Sequence, residues 1–349
     1  MTDTAQAATL FGAEDLRVVA RDIGALAPGM VRVAFGAGGV CGSDMHYFRH
    51  ARTGDFVVTA PLVLGHEIAG TIVAVNGEAA DLAVGDRVAV NPSRWCGHCA
   101  HCRAGRLNLC DNIYFMGSAS KTPHMQGGFA SLFDATPAQC LKIPAHLTFE
   151  AAALAEPLAV CLHAVARAGA ITGKRGLIVG AGPIGLLTMC AARRAGLATV
   201  TVADVAAAPL AYARRLGASA IIDAADPAAL PALAGSDPFD VVFEASGTPA
   251  GLAGAVQAAR RGGTIVQIGN LPGGSIPFPA NAVMAKELTL LGTFRFGAEF
   301  AEAVRLIAAG AIDVTQIISA RRPLSDAPAA LRLALDRSQS MKVMLVAAP

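Results

Sequence analysis

The chain has 349 residues, of which 54% are hydrophobic and 15% charged, with a formal net charge of +2. That length suits two domains of roughly 100 to 200 residues each, and the apolar share excludes a disordered chain. Its Lys and Arg residues form no basic stripe, which excludes nucleic acid and anionic membrane as partners and leaves a small molecule as the expected one.

The start, Met1-Thr-Asp-Thr-Ala-Gln, carries an acid and lacks a basic segment followed by an apolar one, so no secretory signal is expected. Up to about residue 150 the pattern is short apolar runs with frequent Gly and Pro. Met30 to Phe35, Ile68 to Val75 and Asp86 to Val90 read as strands of a barrel-like β domain. After the first of these comes Gly39-Val-Cys41-Gly-Ser43-Asp-Met-His46, and before the second comes Gly65-His66-Glu67. A thiolate, an imidazole and a carboxylate are sound zinc ligands, and three protein ligands leave the open position that catalysis needs.

Next is Cys96-Gly-His-Cys99-Ala-His-Cys102, with Cys110 following after seven residues. Four thiolates this close converge on one tetrahedral ion, a closed structural zinc lobe. An iron–sulfur cluster is the nearest competitor, since the first three cysteines have ferredoxin spacing. The fourth comes too late for that pattern and is followed by Asp111 instead of proline. His98 and His101 read as solvated neighbours. Cys140, Cys161 and Cys190 read as buried apolar fillers, and in an expected reducing cytoplasm the clustered cysteines are ligands, not disulfides.

The most apolar stretch, Ala151 to Ile171, is interrupted by Glu156, Pro157, His163 and Arg167, so it reads as a buried helix and not a bilayer crossing. Glu156 is a carboxylate in an apolar run. A metal or a metal-bound water would offset its burial, and a carboxylate on the helix dipole is the alternative.

From about Lys174 the rhythm becomes strand, helix, strand: Gly176 to Val179, Pro183 to Ala195, Thr199 to Asp204. Further strands are expected at Ser219 to Asp223, Asp240 to Glu244, Gly263 to Ile268 and Leu288 to Leu291, which makes a six-stranded doubly wound sheet. Gly180-Ala-Gly182-Pro183-Ile184-Gly185 lies between strand and helix, the context in which this motif binds a dinucleotide pyrophosphate. Asp204 ends the second strand, placed for a ribose diol and against a 2′-phosphate. No Lys or Arg occurs in Val205 to Ala213, so NAD is favoured, with NADP the alternative. A helix over Ala298 to Ala309 and a final strand, Lys342 to Val346, are expected to return to the first domain.

Together these residues resemble the zinc-dependent medium-chain dehydrogenase/reductase superfamily over essentially the whole length. Cys41-Gly-Ser43-Asp-Met-His46-Tyr47, Leu64-Gly-His66-Glu67 and Ala155-Glu156-Pro157-Leu158 resemble its polyol dehydrogenase branch. Asn91-Pro-Ser-Arg, Phe115-Met-Gly-Ser-Ala, Pro123-His124, Gln126-Gly-Gly-Phe129 and Gly292-Thr-Phe-Arg295-Phe296 are similar to a sugar-acid-oxidising member of that branch.

The resemblance implies a GroES-like β-barrel catalytic domain over 1–153 with a zinc lobe at about 91–112, a Rossmann NAD-binding domain over 154–294, and a return to the catalytic domain over 295–349. It implies two zinc ions per subunit, the catalytic one on Cys41, His66 and Glu67, with Glu156 beside it as a ligand or through water. Ser43 and His46 would form the proton path, and Tyr47, Phe115 and Arg295 the substrate site. Gly180, Gly182, Pro183, Ile184, Gly185, Asp204, Ile268, Gly269 and Asn270 would face NAD. A homodimer or homotetramer is implied as well.

The chain departs from sorbitol dehydrogenases at Pro209, where they tend to have arginine, and at Phe296, where they tend to have tyrosine. A sugar acid needs a cation in the pocket. Arg295 is the first candidate, then Lys121 and His124. The expected reaction oxidises a secondary alcohol of a sugar acid with hydride transfer to NAD. A polyol or L-threonine-type dehydrogenase is the near alternative, and a non-catalytic zinc and nucleotide sensor is the distant one, against which the intact Cys41, Ser43, His66 and Glu67 argue.

Overall fold

In the first part of the chain, β-branched and small apolar residues give short strands that pair antiparallel. The computed structural model describes residues 4–79, 81–232 and 239–348. Met30–Gly39 pairs with Glu67–Asn76, which pairs with Arg87–Val90, which pairs with Cys140–Lys142. Along its other edge Met30–Gly39 takes Leu132–Ala135 on its first half and Lys342–Val346 on its second. Register shifts at Arg32/Val33 and Phe35/Ala37 bend this central strand, as bulges do. Val31, Val33, Leu64, Ile72, Phe129 and Leu345 are fully buried within the resulting core.

Two elements here are not legible as strands. Thr4–Gly12 and Asp15–Asp22 form an antiparallel hairpin. Ile318–Pro323 alternates over only four residues and carries two arginines and a proline, yet pairs in parallel with Lys342–Val346 at the sheet edge. An edge is where proline and exposed charge are tolerated.

The second part is a single parallel sheet. Its strands are Arg175–Val179, Thr199–Asp204, Ala220–Asp223, Phe239–Glu244, Ala259–Gln267 and Thr289–Gly292, in the spatial order third, second, first, fourth, fifth, sixth. That is the Rossmann doubly wound order. Leu177, Ile178, Val202, Val242, Phe243 and Ile265 are fully buried, as strands covered on both faces require. The order reverses between the first and fourth strands. Register places Val179 opposite both Ala203 and Glu244, so the carboxyl ends of the first, second and fourth strands meet one edge.

The two units are Met1–Glu156 with Phe300–Pro349, and Pro157–Glu299. Their breaks fall a few residues beyond the expected 153 and 294. The run Phe149–Arg167 is long and apolar enough to cross a membrane, but 67% of its apolar window is buried inside the fold. Pro157 sits in the first turn of the helix Ala155–Arg167, where its missing N–H breaks no helical hydrogen bond.

Candidate functional site

The sulfurs of Cys96, Cys99, Cys102 and Cys110 all lie within 4.8 Å of one another. Backbone N–H groups donate to them, among them Cys96 to Cys110 Sγ at 3.2 Å, Cys99 to Cys96 Sγ at 3.4 Å and Cys102 to Cys99 Sγ at 3.4 Å. Such donors favour the thiolate over the thiol. Cys99 is drawn down to about 6, first by the Cys102 N–H and then by that of Asp111. His98 is engaged by the Cys96 carbonyl, and His101 faces Asp111. The donors and their convergence fit a closed tetrahedral zinc shell.

A second convergence brings ligand atoms of Cys41, His66 and Glu67 within 4.8 Å of one another. Strand register is the reason. Gly39 is opposite Glu67, Cys41 caps the helix Gly42–His50, and His66 and Glu67 open the facing strand. A Cβ on Gly39 would lie 2.0 Å from Glu67 Oε2, so only glycine allows this approach.

Asp44, fully buried, links the two loops. Its Oδ2 accepts from the Cys41 N–H at 3.0 Å and its Oδ1 from the Gly65 N–H at 3.2 Å, with His66 Nδ1 at 3.7 Å. Partners of this kind orient a ligating imidazole.

Glu67 and Lys342 are 1% and 3% exposed. The Lys342 ammonium donates to Glu67 Oε1 at 2.7 Å and to the Val40 carbonyl at 2.9 Å. It also lies 2.6 Å from Glu67 Oε2, but off hydrogen-bonding angle, and that oxygen is buried without a hydrogen bond. The ammonium therefore offsets the cost of burying this carboxylate, while Oε2 keeps lone pairs that no hydrogen bond uses. Burial pulls Lys342 down, but Glu67 and Cys41 outweigh it and raise its pKa, so the ammonium stays charged. Burial also pushes the Cys41 thiol up to about 12 and the Glu156 carboxyl up to about 8. Glu156 is within electrostatic reach of His66, Glu67 and Cys41. The converging sulfur, nitrogen and oxygen donors of Cys41, His66 and Glu67 fit a zinc ion with an open coordination position.

The remaining expected residues divide. Phe115 is buried against His66, with ring centroids 5.4 Å apart. The Ser43 N–H faces Cys41 Sγ, and His46 is exposed three residues on, 6.2 Å from the ring of His50. Tyr47 is buried in the core and its hydroxyl accepts from the Ala119 N–H. His124 does not present a cation. Its Nε2 faces the Thr59 and Ala60 N–H groups and its Nδ1 the Lys121 carbonyl, a pattern the neutral ring satisfies. Lys121 is exposed. In the parallel-sheet unit, Arg295 has a left-handed backbone, φ 52°, and its guanidinium lies 4.8 Å over the Phe294 ring. Asp44 and Lys342 were not anticipated. Asp44 sits inside the Cys41 motif, whereas Lys342 has no local signal.

In the parallel-sheet unit, Gly180 turns at φ 97°, where a Cβ would meet Ser246 N at 2.7 Å, and a Cβ on Gly185 would meet the Gly180 carbonyl at 1.8 Å. Gly182 differs, because a Cβ there would meet nothing within 4 Å. The chain itself does not require glycine at that point, but a ligand approaching the backbone does. Gly182 caps the helix Pro183–Arg194 without a side-chain hydrogen bond, and Pro183 begins it, leaving free N–H groups suited to an anion. The Ile184 carbonyl accepts from Cys161 Sγ at 3.3 Å. Asp204 accepts from the Ala181 N–H at 2.7 Å and the Ala206 N–H at 2.9 Å. Ile268 and Gly269 donate to the Glu244 carbonyl, and Asn270 is exposed beside them.

Residues 27–145 match the family described as alcohol dehydrogenase GroES-like domain, and residues 183–309 the family described as zinc-binding dehydrogenase. The chain is 39% identical over 309 residues to L-idonate 5-dehydrogenase (NAD(P)(+)) of Escherichia coli K12, covering 88% of this chain and 89% of that protein. This chain belongs to the zinc-dependent medium-chain dehydrogenase family. The dehydrogenase is also 34% identical to sorbitol dehydrogenase of Bacillus subtilis, over 88% of this chain and 87% of that protein. Its fold superposes on the crystal structure of the Escherichia coli L-idonate 5-dehydrogenase with a TM-score of 0.94 at 36% identity, covering 99% of each chain.

Replacing Lys342 by Met leaves the Glu67 carboxylate buried without its cation. In urea denaturation of chelated protein, Lys342→Met should lower stability by about 3 to 5 kcal/mol, and added zinc should recover part of the loss by supplying positive charge beside Glu67.

Proposed function

We propose that this dehydrogenase oxidises a secondary alcohol of a sugar acid with NAD, in the manner of an L-idonate 5-dehydrogenase. One observation carries the chemistry: ligand atoms of Cys41, His66 and Glu67 converge within 4.8 Å of one another, on a chain whose four-cysteine lobe is a separate, closed site. Zinc, when bound, supplies Lewis-acid chemistry at Cys41, His66 and Glu67, and NAD supplies the hydride acceptor. Glu156 completes that shell directly or by holding a water.

This chain's own groups do the rest. Asp44 orients His66 and Cys41 through the contacts described above, and Lys342 fixes Glu67 by its Oε1. Ser43 receives the substrate hydroxyl proton and His46, three residues along the same helix, passes it to solvent. Partial desolvation of the otherwise exposed ring first, and then the neighbouring His50 and Arg337, lower the pKa of His46, which favours the neutral ring that can accept a proton. Phe115 and Tyr47 exclude water from the substrate side.

Gly180, Gly182, Pro183, Ile184 and Gly185 receive the pyrophosphate, and Asp204 the adenosine ribose. Ile268, Gly269 and Asn270 line the other half of the crevice. Both oxygens of Asp204 are anchored by backbone N–H groups, which keeps its charge aimed at the ribose and against a 2′-phosphate. Arg295 is the carboxylate clamp. Two zinc ions per subunit, a homodimer or homotetramer and a cytoplasmic location complete the proposal. A neutral polyol, or an L-threonine-type substrate, is the second reading, favoured by the likeness to sorbitol dehydrogenase.

The test is a rate comparison over sugar acids, polyols and amino alcohols with NAD and with NADP, before and after chelation. Sugar acids with NAD should be fastest, and zinc should restore activity that chelation removes. Arg295→Ala should raise KM for L-idonate about tenfold or more while changing KM for sorbitol by less than about twofold; equal changes would remove the clamp. In the same assay Asp204→Ser should narrow the preference for NAD over NADP by about tenfold.

A further inference from the structure

Glu244 is a buried carboxylate that the reaction above leaves unused. It is fully buried and ends the fourth strand of the parallel sheet, beside the point where strand order reverses. Its Oε1 accepts from the Ser246 N–H at 2.8 Å, the Ser246 hydroxyl at 2.5 Å and the Gly247 N–H at 3.1 Å. Its carbonyl accepts from the Ile268 N–H at 2.8 Å and the Gly269 N–H at 3.0 Å. One residue therefore holds both loops that leave the carboxyl edge after the fourth and fifth strands.

The two loops are also interlocked. A Cβ on Gly269 would meet Gly247 N at 2.3 Å, and one on Gly247 would meet the Asn270 carbonyl at 2.6 Å. Glu244 Oε2 is buried without a hydrogen bond. Burial raises the pKa of this carboxyl, against the pull of its Ser246 and Gly247 donors. A turn alone could be held by a neutral side chain at lower cost. A carboxylate takes several donors on one oxygen through stronger, shorter bonds, and so holds the loops more rigidly.

In a doubly wound sheet each half of the strand set carries one mononucleotide. The first three strands carry the Gly180 turn and Asp204, and the last three carry Glu244 and the two loops. We propose that Glu244 is a positioning residue for the nicotinamide half of the dinucleotide crevice, fixing the loop after Glu244 against Ile268 to Asn270. The proposal rests on the NAD reading above.

The test is calorimetric binding of NADH and of ADP, which carries only the adenosine and pyrophosphate parts, to wild type and to Glu244→Gln. Glu244→Gln should weaken NADH about tenfold while ADP changes less than about twofold. KM for NAD should rise in step. Ser246→Ala, which removes one donor and keeps the carboxylate, should show the same selectivity in smaller measure and serves where the Gln variant folds poorly. Equal weakening of NADH and ADP would make Glu244 a support of the fold alone and overturn the proposal, as would no change in either. Wild type that binds neither ligand would instead overturn the NAD reading itself, and the proposal with it.

Discussion

The ion pair between Lys342 and Glu67 is the constraint on which the metal centre depends. Two opposite charges at 2.6 to 2.7 Å, almost wholly out of water, gain little net stability over an apolar pair, because desolvation offsets most of their attraction. What they contribute is position. Lys342 lies against both oxygens of Glu67 but hydrogen-bonds only Oε1, so Oε2 keeps lone pairs that no hydrogen bond uses. The pair spans 275 residues of sequence, so the strand Lys342–Val346 must be in register on Met30–Gly39 before Glu67 is held. Completion of the β unit and completion of the proposed reactive site are therefore the same event.

The two metal-competent clusters are built on opposite principles. The four-cysteine lobe collects thiolates within fifteen residues and stabilises them with backbone N–H groups of its own loop, so it is self-sufficient. The Cys41, His66 and Glu67 cluster takes its members from a helix cap and from the start of a separate strand, and needs Asp44 and Lys342 to hold them. Local assembly suits a clamp whose shell is closed. Long-range assembly suits a centre that must keep one position open. The parallel-sheet unit repeats the second pattern in Glu244, a buried acid that ties together the loops after the fourth and fifth strands.

Much of this was legible in the sequence where the signal is local. The Gly180 turn, Asp204, the cysteine spacing and the six apolar strands are each set by neighbours in the chain, and each strand appears within a few residues of its expected bounds. Asp44 could have been found, since an acid three residues after a helix cap is a start signal, but within the Cys41 motif it reads as a spacer. Lys342 could not, because its role comes only from strand pairing. Ile318–Pro323 is a strand for the same reason. His124 misleads in the opposite direction: a histidine near the substrate motif looks like a cation, yet backbone partners on both ring nitrogens make it a structural pin.

The most direct measurement is zinc K-edge X-ray absorption of the purified, zinc-replete protein, compared with protein from which the weaker zinc has been chelated. Two environments are expected: one of four sulfurs at about 2.3 Å that survives mild chelation, and one of mixed sulfur, nitrogen and oxygen that is lost together with activity. A single all-sulfur environment in fully active protein, unchanged by chelation, would contradict the two-site assignment.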